Sequence, residues 1–288
     1  MSAATDASGP NRYAAFTLSP DGGNRAGVWT GEELPSAARM QRIATELGYS
    51  ETVFIAPLHG ARRRVRYFSP AAEVSFCGHA TIAAGVHLGS VDGAGDYTLD
   101  TAVGAVPVST RRDGAHWRAS LTSVEPRHEA VPPGLLRAAL RTLGWSEGEL
   151  DPSIPPARAY AGAWHLVLAA ADRSRLDTLA YDFAALKALM LDDGLTTLQL
   201  VWRAPDGSFL SRNPFPVGGV VEDPATGAAA AALGGYLRDA GLLATPSRFE
   251  IRQGEAMGRP SRLQVDVPAS GGVRVSGTAV AIEAGVPA

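Results

Sequence analysis

Two segments that predict helices apolar on every side limit the fold of this chain more than any other feature. They cover residues 78–88 and 227–240 and are rich in Ala and Gly. A helix without a polar face has to be buried, and small side chains let neighbouring strands pack close against it. We therefore predict two central helices, each enclosed by the chain around it.

The two segments also correspond to each other residue by residue. Gly78 falls on Gly227 at an offset of 149 residues (227 − 78), and further matches follow at the same offset. They are Glu73 with Glu222, Ala80 with Ala229, Ala83 with Ala232, Gly85 with Gly234 and Leu88 with Leu237. Together with short predicted strands, this indicates an α+β fold of two similar halves, each an antiparallel sheet or barrel wrapped around a central apolar helix.

A stretch containing Pro and Glu, residues 124–133, is the predicted boundary between the halves. The N-terminal half then covers residues 11–125 and is completed by a C-terminal strand at 277–288. The C-terminal half covers residues 126–276.

Local signals place two further helices. Residues 35–47 carry an N-cap candidate in Ser36, an apolar face, and Gly48 where the helix would end. A second helix is predicted at 134–143. Strands are predicted at 13–18, 26–29, 51–57, 64–68, within 97–124, and at 163–170, 197–203, 247–252, 261–267 and 272–283.

Composition excludes several classes of partner. The chain has 26 basic and 29 acidic residues, a formal net charge of −3 and no basic stripe, so a nucleic-acid partner is not expected. The polar start and the lack of an apolar run of about 20 residues argue against a signal peptide and a membrane partner. The single cysteine, Cys77, excludes an intrachain disulfide and favours a cytoplasmic location.

Motifs for bound metals and nucleotides are missing from the sequence. The six histidines are scattered without the spacing of a zinc site, so no metal is predicted. Neither a dinucleotide-binding glycine motif, a P-loop nor a serine-hydrolase elbow occurs. We therefore expect chemistry that uses side chains and backbone dipoles and needs no cofactor.

Polar functional groups are expected at the starts of the two apolar helices, because the remainder of each helix is apolar. Gly78 opens the first and Gly227 the second, and a helix N-terminus offers unpaired N–H groups and partial positive charge. If they face one cleft, the two ends would bind a carboxylate and stabilise an enolate-like charge. The alternative, with about equal weight, is that Thr81 and Thr226 only cap the helices.

Three ionisable residues are candidates for proton transfer. Glu51 begins a predicted strand, where the apolar residues that follow would partly desolvate it; a solvated surface acid is the alternative. His79 lies one residue into the first helix, although a lone histidine is more often structural. Asp223 precedes Pro224 at the second helix, a common turn or cap element.

Three segments in a fixed order resemble the PhzF family, which takes its name from the isomerase of the phenazine pathway. They are residues 40–54, with Glu51 inside, residues 70–81 and residues 222–229. Gly23-Asn24 near the start and residues 257–262 near the end match as well. The resemblance therefore spans almost the whole chain.

The resemblance implies a diaminopimelate epimerase-like fold and a cofactor-independent isomerase of a biosynthetic pathway, such as antibiotic biosynthesis, that forms a homodimer. In this family pattern Glu51 would remove a proton from one carbon of a small unsaturated carboxylic or amino acid and return a proton to another. His79 and Asp223 would hydrogen-bond the substrate or assist the transfer. The backbone amides of Gly78, Gly227 and Ala228 are implied to bind the substrate carboxylate, with Ser50 lining the site as a further substrate-binding residue.

Two departures from the family pattern bear on substrate and mechanism. Ala228 stands where the family usually has serine, so we expect an altered substrate preference. Epimerases of the same fold use two cysteines; Cys77 takes the first position and Pro224 the second, which disfavours two-cysteine racemisation. An epimerase or racemase with a different second base and a non-catalytic protein that binds small acids remain as alternatives.

Overall fold

The computed structural model describes residues 9–283, which divide into two compact units. Within these residues, unit 1 comprises 9–20, 25–119 and 278–283, and unit 2 comprises 21–24 and 120–277. The predicted polar start up to residue 8 and the end of the predicted closing strand, 284–288, lie outside the described residues. Within that range, every helix is too short or too polar to span a membrane.

Helices and strands alternate along the chain. Up to residue 122 the elements are β1 (Asn11–Ala15), β2 (Asn24–Thr30), α1 (Ala37–Leu47), β3 (Glu51–Pro57), β4 (Arg62–Phe68), β5 (Glu73–Val74), α2 (Gly78–Asp92), β6 (Gly95–Thr101), β7 (Gly104–Asp113) and β8 (His116–Thr122). From residue 127 they are β9 (Arg127–Ala130), α3 (Pro133–Leu143), β10 (Ala157–Tyr160), β11 (Trp164–Ala169), α4 (Ser174–Asp177), α5 (Phe183–Asp192), β12 (Thr197–Arg203), β13 (Phe209–Pro214), β14 (Glu222–Asp223), α6 (Gly227–Asp239), β15 (Ser247–Gln253), β16 (Ser261–Val267) and β17 (Arg274–Ala281).

Helix α1 shows how local sequence sets the ends of an element. Ser36 is its N-cap and accepts a hydrogen bond from the Arg39 N–H at 3.3 Å. Gly48 ends the helix at a φ of 73°, a left-handed conformation that glycine adopts at little steric cost. Met40 and Ala44 are buried on the face predicted to be apolar. Both predicted caps are confirmed.

Helix α2 is enclosed within unit 1, and every residue from His79 to Gly89 is buried. Gly85 lies so close to β7 and β8 that a Cβ there would be 2.7 Å from the Ala119 Cβ and 2.8 Å from the Val108 Cγ1. Because real Cβ atoms do not approach other atoms so closely, packing requires glycine at this position. The prediction of a fully buried small-residue helix is confirmed here.

The strand pairing in unit 1 is mixed, which corrects the expectation of a purely antiparallel sheet. The β3–β4 and β6–β7 pairs are antiparallel. The β2–β3 and β4–β6 pairs are parallel, with Ala26 opposite Glu51 in the first. Parallel neighbours need a crossover connection, and α1 and α2 lie in these two connections. The alternation of residues along each strand gave no information about this direction.

Unit 2 has the same order of connections. The β12–β13 and β15–β16 pairs are antiparallel, whereas β11–β12 and β13–β15 are parallel. Helix α6 is buried from Ala229 to Leu237, and a Cβ on Gly234 would lie 3.0 Å from Val267 Cγ2. Helix α5, in the β11–β12 connection, was missed by the sequence analysis although Asp182 caps its start.

A similar arginine–glutamate pair precedes each buried helix. Arg66 of β4 donates to Glu73 of β5 through Nε and Nη2, each at 2.6 Å. Arg212 of β13 donates to Glu222 of β14 through Nε at 3.0 Å and Nη2 at 2.5 Å. The hydrogen bonds from Arg66 lower the pKa of Glu73. Each pair fixes a two-residue strand directly before its helix.

Candidate active site

The first group of candidate residues lies where strand β3 and helix α2 begin, within unit 1. Glu51 is the first residue of β3 and follows Ser50, while Cys77 is the N-cap of α2 and His79 lies in its first turn. The left-handed Gly48 at the end of α1 directs the chain into this strand start. Residues far apart in sequence are thus brought to one place by the sheet and the buried helix.

The imidazole of His79 is the centre of this group. Its Nε2 lies 3.3 Å from the Glu51 Oε2 and 3.1 Å from the Ser50 Oγ. The Ser50 hydroxyl also donates to the Arg25 carbonyl at 3.2 Å. The Glu51 side chain is 18% exposed and that of His79 is 6% exposed. The carboxylate is therefore reachable from solvent, and the imidazole holds it from the buried side.

Cys77 contacts the other edge of the same ring. Its Sγ lies 3.3 Å from the His79 Nδ1. Glu51, Cys77 and His79 also form a group of metal-ligating side chains, since one donor atom of each lies within 4.8 Å of the others. No sequence spacing indicated this group, because Glu51 belongs to a different element.

The start of α2 is fixed by polar contacts of Thr81. The Thr81 N–H and hydroxyl both donate to the Cys77 carbonyl, at 3.0 Å and 2.7 Å. The Thr81 hydroxyl also bonds to the Tyr67 hydroxyl at 2.7 Å. Burial raises the pKa of Tyr67, so this hydroxyl stays neutral. Gly78 opens the first turn of α2, where the helix carries its partial positive charge.

The second group of candidate residues surrounds Asp223 in unit 2. The Asn24 Nδ2 donates to the Asp223 Oδ1 at 2.7 Å, and the Thr226 hydroxyl donates to the Asp223 Oδ2 at 2.6 Å. Asn24 is buried, and its amide also reaches the Ala225 carbonyl at 3.4 Å. Both carboxylate oxygens are therefore held in fixed directions at the start of α6.

Gln253, which the sequence analysis did not single out, holds the backbone behind Asp223. Its Nε2 donates to the Asp223 carbonyl at 2.7 Å and to the Thr226 Oγ1 at 2.9 Å. Its Oε1 accepts from the Thr226 N–H at 3.2 Å, and the side chain is buried. The neighbouring Gly254 has a φ of 77°, and a Cβ there would lie 2.8 Å from the Pro224 carbonyl oxygen. The sequence signal that could have identified Gln253 was its position just before the matching segment 257–262.

The two short motifs at opposite ends of the sequence meet in the same group. The Gly23 N–H donates to the Pro260 carbonyl at 3.1 Å. In return, the Arg259 Nε donates to the Gly23 carbonyl at 3.1 Å. These contacts fix the turn that presents Asn24 to Asp223, so the Gly23-Asn24 match has a physical role.

The predicted site residues thus fall into two groups. In unit 1 the structure brings together Glu51, His79, Ser50 and Gly78. In unit 2 it brings together Asp223, Gly227 and Ala228 at the start of α6. Ala228 is half-buried, so the position of the usual family serine is accessible.

Comparison with known proteins identifies relatives over nearly the full length. Residues 13–285 match the family described as phenazine biosynthesis-like protein (PhzC-PhzF). A protein of Deinococcus radiodurans named as an uncharacterized isomerase is 33% identical, and the alignment covers 95% of this chain and 92% of that protein. The trans-2,3-dihydro-3-hydroxyanthranilate isomerase of Pseudomonas aeruginosa is 31% identical, with 94% of this chain and 96% of that protein covered.

A solved structure with a similar fold is the PhzF-family phenazine biosynthesis protein of Bacillus anthracis. It superposes with a TM-score of 0.84 over 95% of this chain and 96% of that chain, at 21% sequence identity. The mixture of helices and strands described above is therefore a fold that occurs in a crystallographically determined relative.

Proposed function

The chain belongs to the PhzF family of phenazine biosynthesis-like proteins, whose named relatives are isomerases, and on that premise we propose its reaction. It is a cofactor-independent isomerase that shifts a double bond in a small unsaturated carboxylic or amino acid of a biosynthetic pathway. The observation that carries this proposal is the contact of the Glu51 carboxylate with His79 at the start of α2.

Glu51 performs both proton transfers in this proposal. As a carboxylate it takes a proton from a carbon next to the conjugated system, and as the resulting acid it returns a proton to a different carbon. Both steps use one face of the substrate, since one side chain serves both carbons. A positioned general acid–base of this kind contributes about 10²–10⁴-fold to the rate.

The start of α2 supports the charge that develops on the substrate. Between the two transfers the substrate carries a dienolate-like negative charge, which the partial positive charge at the N-terminus of α2, beginning at Gly78, stabilises. The side chain of His79, whose Nε2 lies 3.3 Å from the Glu51 Oε2, orients the carboxylate. Ser50 lies beside this carboxylate, with its Oγ 3.1 Å from the His79 Nε2.

The family resemblance also assigns a role in substrate binding to the group around Asp223. Asn24 and Thr226 hold its two carboxylate oxygens, which fixes the direction in which Asp223 accepts hydrogen bonds from a substrate amino or hydroxyl group. The N–H groups of Gly227 and Ala228 at the start of α6 suit a carboxylate. The missing hydroxyl at Ala228 narrows or shifts the range of substrates.

The test of this proposal is hydrogen exchange in D2O, followed by NMR. The compounds are trans-2,3-dihydro-3-hydroxyanthranilate, on which the named relative acts, and a panel of dienoic acids and unsaturated amino acids. With an accepted substrate the wild type incorporates deuterium at one specific carbon. Glu51→Gln is expected to fold normally and to lose at least about 10²-fold of that rate.

The matched control is Glu46→Gln, the same change on the exposed surface of α1. It is expected to exchange deuterium at the wild-type rate. A Glu51→Gln variant that is as active as this control would refute the acid–base assignment. Binding of the acids without any exchange in the wild type would favour a non-catalytic binding protein.

An epimerase of the same fold is the second candidate, favoured by the 3.3 Å contact between the Cys77 Sγ and the His79 Nδ1. That mechanism needs a second base, and Cys77 is the residue placed beside Glu51. Loss of turnover in Cys77→Ala together with inversion at one carbon would support epimerisation. Unchanged turnover with a shifted double bond would support the isomerase.

The proposed assembly follows from the family resemblance, and the proposed location follows from the single cysteine, Cys77. We expect a homodimer in a cytoplasmic setting with a small carboxylate as the only substrate partner. Sedimentation of the purified chain at several concentrations measures the assembly directly.

A further inference from the structure

Three side chains of different ligand chemistry converge at the start of α2. Glu51 offers a carboxylate, Cys77 a thiolate and His79 an imidazole, and their donor atoms lie within 4.8 Å of one another. The His79 Nε2 is 3.3 Å from the Glu51 Oε2 and 3.8 Å from the Cys77 Sγ. One nitrogen is therefore near both other donors.

The separation of the His79 Nε2 from the Glu51 Oε2 is close to that around a four-coordinate zinc ion. Zinc bonds of about 2.0–2.2 Å to nitrogen and oxygen and about 2.3 Å to sulfur, at tetrahedral angles, place N and O about 3.4 Å apart and N and S about 3.5 Å apart. The observed N–O distance already agrees. A zinc ion on Nε2 would hold the sulfur about 5 Å from Nδ1, whereas the Cys77 Sγ lies 3.3 Å from that atom, so the sulfur has to move by about 2 Å. Rotation of the Cys77 side chain supplies that movement.

Charge also favours a divalent ion at this place. Thiolate and carboxylate together carry two negative charges, which a divalent cation neutralises while the imidazole stays neutral. Neutralisation matters because His79 is buried and Glu51 is only 18% exposed. A thiolate and an imidazole select zinc and similar metals over magnesium or calcium.

We propose that Glu51, Cys77 and His79 form a reversible inhibitory site for zinc or a similar thiophilic divalent cation. Cys77 binds as the thiolate, its proton passing to solvent, and the fourth position of the ion stays open to water. The bound ion occupies the Glu51 carboxylate and prevents it from accepting a proton. This inhibition rests on the proposed function, in which Glu51 is the acid–base, whereas binding of the metal does not depend on that role.

Cobalt(II) titration of the purified full-length chain tests the binding. A cobalt–thiolate bond gives a charge-transfer band in the near ultraviolet, and four-coordinate cobalt gives strong visible bands. Cys77 is the single cysteine of the chain, so a thiolate band identifies its ligand without further mapping. We expect one cobalt per chain, displaced by an equivalent of zinc.

Variants separate a built site from binding by the thiol alone. Glu51→Gln and His79→Asn are each expected to weaken cobalt binding by at least about tenfold, and Cys77→Ala to abolish the thiolate band. The matched controls are Glu46→Gln and His59→Asn, both at exposed positions. A thiolate band unchanged in both Glu51→Gln and His79→Asn, or no band in the wild type, overturns the proposed site.

Isomerase activity tests the regulatory part. The turnover of each protein with zinc is compared with its own turnover without zinc, and Cys77→Ala is expected to lose sensitivity to zinc at concentrations that inhibit the wild type. Equal zinc inhibition of wild type and Cys77→Ala overturns this part. The two proposals can fail separately. If Glu51 is not the acid–base, Glu51→Gln keeps its hydrogen-exchange activity. The cobalt titration still shows whether the metal binds.

Discussion

Glu222→Gln is expected to destabilise the protein far more than Glu73→Gln, although both glutamates make the same two-point contact with an arginine. The side chains of Glu222 and Arg212 are 3% and 16% exposed, whereas those of Glu73 and Arg66 are 41% and 34% exposed. Removing the charge of Glu222 leaves the Arg212 guanidinium largely buried without a counter-charge. Water solvates Arg66 once Glu73 has lost its charge.

The magnitudes follow from this difference in burial. Removing one partner of a buried ion pair costs about 3–5 kcal/mol, whereas an exposed pair contributes about 0–1 kcal/mol. The Arg212 Nη1 keeps its hydrogen bond to the Leu176 carbonyl, and part of its side chain reaches water. We therefore expect about 3 kcal/mol for Glu222→Gln and less than about 1 kcal/mol for Glu73→Gln.

The assay is urea unfolding near neutral pH, followed by circular dichroism and tryptophan fluorescence at low and high salt. Salt is expected to reduce the small effect of Glu73→Gln and to leave that of Glu222→Gln nearly unchanged, because screening acts on exposed charges. Replacing Arg212 and Glu222 together by methionine removes both charges and should recover most of the loss. Equal losses for the two glutamine variants, or a double variant no better than Glu222→Gln, would refute the reasoning.

Two further predictions concern buried polar groups of unit 2. Burial lowers the pKa of His165 to about 3 from an ordinary 6.5, so between these values the unfolded chain binds a proton that the native state does not. The unfolding free energy therefore falls with decreasing pH in this window by up to about 1.4 kcal/mol per pH unit. Denaturant unfolding of His165→Asn at several pH values should show that this component is lost. Identical pH slopes for the variant and the wild type would contradict the prediction. Gln253→Leu removes the amide that bonds the Asp223 carbonyl and the Thr226 N–H, so thermal unfolding should show a loss of about 1–3 kcal/mol in the free energy of unfolding. The stability of Gln253→Glu should lie between those of the wild type and Gln253→Leu. A wild-type melting temperature in Gln253→Leu would show that these groups find other partners.

Elements with local causes could be predicted from the sequence. Ser36 and Gly48 mark the ends of α1 because capping acts within one turn of the helix. The apolar stretches that became α2 and α6 were predicted to be buried because neither has a polar face to expose. The family could be recognised because its motifs are contiguous in sequence.

Features that depend on which strands become neighbours could not be predicted in the same way. The parallel pairing of β2 with β3 depends on α1 crossing between them, and alternation along a strand is identical in parallel and antiparallel sheets. Helix α5 was missed because its weak local pattern gains stability from packing onto the core of unit 2, through Leu186 and Met190.

The sequence by itself determined that two apolar helices are buried and that His79 and Asp223 lie close to their starts, and it offered Glu51 as a further candidate. Only the tertiary structure decided what surrounds those residues. It placed Cys77 and Glu51 on two sides of one imidazole and Gln253 behind Asp223. The physical reason is range: caps and periodicity act within a few residues, whereas a site is formed by strands and helices that packing brings together.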